Sequence, residues 1–177
     1  MRLSAPRSML CVVDVQERLV PAVLDGGLVV DRCRRLAEAA RLLGVPTVVT
    51  EQYRKGLGGT VPELAGLLPA PLEKLTFSCC GAEGFATAIP TGVVQVVLCG
   101  LETHVCVTQT ALDLLAEGYG VFVAVDAVSS RHALDRDVAL RRLEAAGVVV
   151  TTTEAVLFEW CHTAAHPQFQ AVRMLVR

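Results

Sequence analysis

Only two lysines, Lys55 and Lys74, occur among the 177 residues; every other basic side chain is an arginine. The scarcity makes each lysine worth a question. Charge of one sign is also lacking. A formal net charge of −2 supplies neither a basic field for nucleic acid nor an acidic tail. Long apolar runs are missing, and nothing approaches the roughly 20 residues of a membrane span. Met1–Ser8 carries two arginines, but no signal-peptide apolar region follows, because Asp14 interrupts the run Met9–Val13. The seven cysteines are odd in number and form no disulfide framework. Cys11 and Cys99 lie in apolar runs, where a free thiol acts as a small hydrophobe. These absences describe a soluble, cytoplasmic protein in a reducing compartment, with no nucleic-acid or membrane partner.

What is present is a large apolar fraction, 53%, enough for one domain spanning residues 1–177. Val-rich runs of strand length recur at Met9–Val13, Pro46–Thr50, Val93–Cys99, Val121–Val125 and Val148–Thr152. They are continuous rather than alternating, as in parallel strands buried on both faces. A shorter, weaker strand is expected at Glu73–Phe77. Helical patterns lie between the strands. One covers Asp31–Leu43, with Asp31 as N-cap and Gly44 at its end. Others cover about Ala82–Ala88, Thr103–Glu117, Ala133–Ala146 with Ser130 near its start, Glu154–Trp160 and Pro167–Leu175. The alternation predicts an α/β fold: a three-layer, doubly wound sheet of about six mainly parallel strands with helices on both faces.

Ligands of such sheets bind beyond the C-terminal strand ends. The polar residues falling there are Asp14, Glu51, Gln52, Glu102, Thr103, His104, Cys106 and Asp126, with Lys74 in the weak strand. Together they offer an acid, a base and a nucleophile. Cys106 lies where a helix begins, and a helix start and a nearby Lys74 both favour a thiolate over a thiol of ordinary pKa about 8.5. Asp14 is placed to accept the thiol proton and pass it to a leaving amine. Spacing alone leaves other readings open: a turn-forming Asp14, a buried helical Cys106, a solvated edge-strand Lys74.

The residues resemble the isochorismatase-like cysteine hydrolases, the superfamily that includes nicotinamidases and N-carbamoylsarcosine amidase. The resemblance runs from Val13-Asp14-Val15-Gln16 to Leu157-Phe158-Glu159-Trp160. Its pieces are Asp14 with Gln16, Thr50-Glu51-Gln52-Tyr53 with Gly56-Leu57-Gly58, Lys74 with Phe77-Ser78, and Gly100-Leu101-Glu102-Thr103-His104-Val105-Cys106-Val107. It implies a catalytic triad of Asp14, Lys74 and Cys106. It also implies a cis peptide between Leu101 and Glu102, and an oxyanion hole built from the backbone N–H groups of Glu102 and Cys106. Such fixed donors are each worth roughly 3 kcal/mol in the barrier. Substrate-pocket candidates are Gln16, Leu19, Gln52, Tyr53 and Phe77, with Glu51 beside them. The family also implies a homo-oligomer, a dimer or larger, and a small-molecule substrate.

The departures narrow this. Nicotinamidases carry an Asp-x-His…His metal site after the second strand, whereas this chain reads Thr50-Glu51-Gln52-Tyr53-Arg54-Lys55-Gly56 there. Neither a metal nor a cofactor is therefore expected. His162 and His166 stand four apart, but Pro167 follows at once, so capping or surface contacts are expected of them. Cys79-Cys80 are expected to pack at a turn. Glu51 is expected to pair with Arg54, Asp126 to cap a turn, and Phe158 and Trp160 to serve the core or a subunit contact. His104 is left without a catalytic role. Three functions compete: a thiol hydrolase of a small amide or related acid derivative, an isochorismatase-type vinyl-ether hydrolase, and a catalytically silent scaffold of the same fold.

Overall fold

The computed structural model describes residues 1–177. Six strands form one all-parallel sheet: β1 Ser8–Val13, β2 Thr47–Gln52, β3 Leu72–Lys74, β4 Gln95–Leu101, β5 Gly120–Ser129 and β6 Val149–Thr151. Their order is β3-β2-β1-β4-β5-β6. The chain therefore builds outward from β1 in one direction, returns to the middle, and builds outward from β4 in the other. A doubly wound sheet opens its crevice at that reversal, between β1 and β4.

The helices are α1 Gly26–Leu43, α2 Arg54–Leu57, α3 Pro62–Ala65, α4 Phe85–Ala88, α5 Thr108–Ala116, α6 Ala133–Ala146, α7 Thr153–Cys161 and α8 Phe169–Met174. The continuous Val-rich runs feed two cores, one on each face of the sheet. Leu10, Val12, Val49, Val97, Cys99 and Phe122 pack with Val29, Cys33, Leu36 and Ala40 of α1 and with Leu157 and Trp160 of α7. The alternate residues Met9, Cys11, Val13, Val48, Val96 and Leu98 pack with Phe85, Ala111, Leu114 and Leu143. Each large aliphatic side chain taken fully from water contributes about 1.5–3 kcal/mol.

Helix α1 begins five residues before the expected Asp31. Asp31 is not its cap; its carboxylate instead accepts from Arg34 and Arg35 within the helix, at 2.9 and 2.8 Å. Its first residue has to be glycine, because a Cβ at Gly26 would collide with the Val20 carbonyl. It ends as expected, at a left-handed Gly44 whose N–H reaches Ala40 O. Ser130 does not cap α6, whose N-cap position is His132; its hydroxyl meets His104 Nδ1 at 3.0 Å. Strand β3 is shorter than expected and stops at Lys74. Asp126 Oδ1 accepts from both the N–H and the hydroxyl of Thr153, which ties the first turn of α7 to β5. Trp160 is buried in the core, and Phe158 faces Phe169 with ring centroids 6.4 Å apart.

Candidate active site

Three strand ends meet at the reversal. Asp14 directly follows β1 and is fully buried, with a left-handed φ of 49° that aspartate tolerates better than most residues. Its backbone N–H reaches Thr50 O at 3.2 Å. Lys74, the last residue of β3, sends its ammonium across β2 to Asp14 Oδ2 at 2.7 Å. Neither side chain of the pair is exposed at all, so Lys74 is no solvated edge charge. Thr50, at the register position of β2 that pairs with Val13, donates its hydroxyl to Asp14 Oδ1 at 2.8 Å. Both carboxylate oxygens are thus held. Burial pulls the Lys74 ammonium down, but the charge and hydrogen bond of Asp14 outweigh it and leave its pKa raised.

Cys106 arrives from the other half of the sheet. The peptide between Leu101, which ends β4, and Glu102 is cis. A π-helical turn over Thr103–Val107 follows and runs into α5. Glu102 O accepts from the N–H groups of Val105 and Val107 at 3.1 and 3.2 Å, while the N–H of Glu102 has no acceptor in the protein. The Glu102 carboxylate is turned away and receives the backbone N–H and Nε of Arg131, at 3.0 and 3.1 Å. Cys106 is 6% exposed, and its Sγ lies 4.0 Å from Gln52 Oε1.

The thiol is pushed opposite to the expected direction. Burial, then the negative charge of Asp14, push the Cys106 thiol up to about 12. Lys74 pulls the other way, as expected, without prevailing. The chain enters α5 through a buried π turn, and the nearest carboxylate outweighs the ammonium behind it.

Gln52 is a rigid part of this arrangement. Its Oε1 accepts from Lys74 Nζ at 2.7 Å and its Nε2 donates to Leu75 O at 2.9 Å. Its backbone N–H and carbonyl are both bonded to the side-chain amide of Gln16, at 2.8 and 3.0 Å. Gln16 therefore does not line a pocket: it is fully buried, and its second amide N–H is taken by Gly58 O at 2.7 Å. Leu19 is also displaced from its expected place. It packs against the core on the α1 face, and Cys106 belongs to the opposite one. Tyr53 and Phe77 are each 52% exposed and meet Lys74 through their backbones, the Tyr53 N–H reaching Lys74 O at 3.0 Å and the Phe77 carbonyl accepting from Lys74 Nζ at 2.9 Å. Glu51 is buried and structural, bonded to Arg54 at 2.8 Å and to both donors of Thr60. His104 turns toward Ser130, His162 ends α7, and His166 Nδ1 accepts from Gln168 N at 3.0 Å.

Sequence reasoning gave Thr50, Leu75 and Arg131 no role at the site, and expected Cys79 at a turn, where it lies. Cys79 is buried in a 3₁₀ turn, its Sγ 3.4 Å from the Thr50 hydroxyl and its N–H bonded to Thr110 Oγ1. Thr50 was the most accessible of these. A hydroxyl at the end of a strand next to the one bearing Asp14 is in register to reach it.

The model of the isochorismatase domain matches residues 8–155. The chain belongs to the isochorismatase family. Isochorismatase domain-containing protein 1 of Danio rerio is 42% identical over 178 residues, covering 99% of this chain but 62% of the fish protein, so the chain spans about three fifths of that relative. Among solved structures, MAR1 ribonuclease of Caenorhabditis elegans superposes with a TM-score of 0.94 at 41% identity, covering 99% of this chain and 92% of its own. YcaC from Pseudomonas aeruginosa, with hexane-2,5-diol and covalent acrylamide, gives 0.89 at 29% identity over 97% and 89% of the two chains. The Escherichia coli YcaC product, an octameric hydrolase of unknown specificity, gives 0.87 at 26% over 99% and 95%. The family shares the doubly wound sheet seen here.

Proposed function

We propose that this isochorismatase-family protein is a cysteine hydrolase of small amides, with Asp14, Lys74 and Cys106 as its catalytic triad. One observation carries the reading. A fully buried Asp14–Lys74 ion pair stands beside a buried thiol at the sheet reversal, where burial without purpose would cost several kcal/mol per ion. The thiol is neutral at rest, so Asp14 takes its proton as the sulfur attacks the carbonyl carbon. A C–S bond forms, and the oxygen gathers negative charge against the N–H groups of Glu102 and Cys106. Asp14 then returns the proton to the nitrogen, the C–N bond breaks, and amine leaves. Water, deprotonated by Asp14, hydrolyses the thioester and frees the acid and the thiol. Lys74 holds the Asp14 carboxylate throughout. Every group the scheme needs is a side chain or a backbone N–H. Tyr53, Gln52 and Phe77 line the approach.

By analogy with the octameric Escherichia coli relative, the protein acts as a homo-oligomer, and its seven free cysteines suit a reducing compartment such as the cytoplasm. No helix is long and apolar enough to cross a membrane. The nematode neighbour's designation raises RNA as a substrate, but a net charge of −2 offers no field for a polyanion.

Acrylamide, the adduct in the Pseudomonas YcaC structure, is the probe. Intact-mass and peptide mapping are expected to show one addition, at Cys106, ahead of the other six thiols. Modification spread evenly over all seven would overturn the reading. A Cys106→Ala variant that still cleaved a vinyl ether would move the assignment to the isochorismatase-type reaction, which needs an acid rather than a thiol.

A further inference from the structure

The structure assigns a charge selectivity to this site: it accepts uncharged amides bearing a free N–H and turns away anionic substrates. The inference rests on the cysteine-hydrolase reading and concerns what that hydrolase takes.

The only cation beside Cys106 is Lys74, and an ammonium has three N–H donors. Four acceptors already surround it: Asp14 Oδ2 at 2.7 Å, Gln52 Oε1 at 2.7 Å, Phe77 O at 2.9 Å and Thr76 O at 3.3 Å. No donor is left for a substrate carboxylate or phosphate. Farther out, Lys55 is exposed on α2 and three arginines keep unused guanidinium N–H groups, but none of these cations is bonded to Asp14, Gln52 or Cys106. Arg54 is drawn to buried Glu51, Arg131 to buried Glu102, and Arg18 donates to Gly56 O. An anion brought to the thiol would lose its water, gain no cation, find only the backbone N–H groups of Glu102 and Cys106 as donors, and approach the Asp14 carboxylate.

What the site offers instead is an acceptor. Gln52 Oε1 is 4.0 Å from Cys106 Sγ. The amide cannot turn over, because its Nε2 is tied to Leu75 O and the flip would aim an NH₂ group at the ammonium. At rest its second lone pair faces the Cys106 thiol as donor, and it is released to a substrate N–H once Asp14 takes the thiol proton. Gln52 and Asp14 share the same Nζ, so the acceptor for the substrate nitrogen sits next to the group that protonates it. Tyr53, Leu75 and Phe77 flank these residues, each more than half exposed, and supply apolar contact. The selectivity also favours product release. Hydrolysis turns a neutral amide into a carboxylate, which this site does not hold.

Iodoacetamide and iodoacetate differ in charge and little else. With either, the Cys106 sulfur displaces iodide, a C–S bond forms, and the thiol proton goes to Asp14. Alkylation of Cys106 is followed by peptide mapping, and each rate is divided by that of a small free thiol with the same reagent. The normalised preference for iodoacetamide is expected to be at least about tenfold. Gln52→Leu frees an N–H on Lys74 and removes the acceptor, and the preference should fall toward unity. Gln52→Glu keeps the shape and the acceptor, and the preference should persist or grow. Equal normalised rates in the wild-type protein overturn the inference, as does a Gln52→Glu variant that loses the preference. If neither reagent marks Cys106 ahead of the other thiols, the nucleophile assignment itself falls; equal but selective labelling of Cys106 leaves that assignment standing and removes only the charge selectivity.

Discussion

The Thr50 hydroxyl lies 2.8 Å from Asp14 Oδ1 and completes the coordination of a carboxylate whose other oxygen belongs to Lys74. Thr50 is a positioning residue: it aims Asp14 and touches no substrate. Thr50→Val keeps the shape and deletes the donor. Acrylamide addition to Cys106 is expected to slow on the order of ten- to a hundredfold, the effect of a misplaced group. Stability should drop by about 1–3 kcal/mol, the penalty for an unsatisfied buried oxygen. Thr50→Ser should restore most of the rate, as a purely steric role would not.

Asp14→Asn separates two pictures of the nucleophile. Asparagine tolerates the left-handed backbone at this position, so the fold should survive. Removing the carboxylate removes one cause of the raised Cys106 pKa, and the thiol should ionise more easily. If the resting thiolate were the nucleophile, alkylation would quicken. With Asp14 as the base it should slow by about 10²–10⁴. Measuring the rate and the thiolate absorbance on one sample gives both signs.

Lys74→Met leaves the Asp14 carboxylate buried without its cation. The expected cost is about 3–5 kcal/mol of unfolding free energy, read by chemical denaturation. The double variant with Asp14→Asn should recover a good part of it, since the stranded charge is gone. A loss that did not recover would assign Lys74 a packing role alone.

Stability should also fall in alkali. Below the ordinary thiol pKa of about 8.5 the folded and unfolded chains both hold the Cys106 proton. Between there and about 12 the unfolded chain releases it and the folded chain keeps it, so this contribution is lost as pH rises through that window. The wild-type denaturation midpoint should drop more than that of Cys106→Ala between about pH 8 and pH 11. Equal drops would argue against a raised thiol.

Gly100 has a φ of 113°, and a Cβ there would strike the Val13 backbone. Gly100→Ala is expected to part β1 from β4 at the crossing that brings Asp14 to Cys106. A loss above about 3 kcal/mol and no selective labelling of Cys106 are the outcomes that check it.

The sheet was legible because parallel strands buried on both faces leave long Val-rich runs, and α6 was placed to the residue. Other boundaries were hidden by tertiary partners. The expected helix Asp31–Leu43 left out Gly26, which starts α1 with the Val20 carbonyl packed where a side chain would be. Asp31 has the chemistry of a cap but pairs with arginines one turn on. At the candidate site, the positions of Asp14, Lys74 and Cys106 followed from strand ends and family resemblance. The ionisation of Cys106 did not, because it depends on burial and on which of two opposite charges lies nearer. Gln16 was misread for a similar reason: a conspicuous polar residue beside the site spends its side-chain amide on the backbones of Gln52 and Gly58.

The strand order also makes the molecule divisible. The exposed turn at Pro90–Gly92 lies between β3 and β4, where the chain crosses back to the middle of the sheet. A cut there would leave Asp14, Thr50, Gln52 and Lys74 on one fragment and Glu102 and Cys106 on the other. Neither fragment would hold both the proton acceptor and the thiol. The β1–β4 seam would be their meeting surface, so selective labelling of Cys106 could serve as a reporter of fragment complementation.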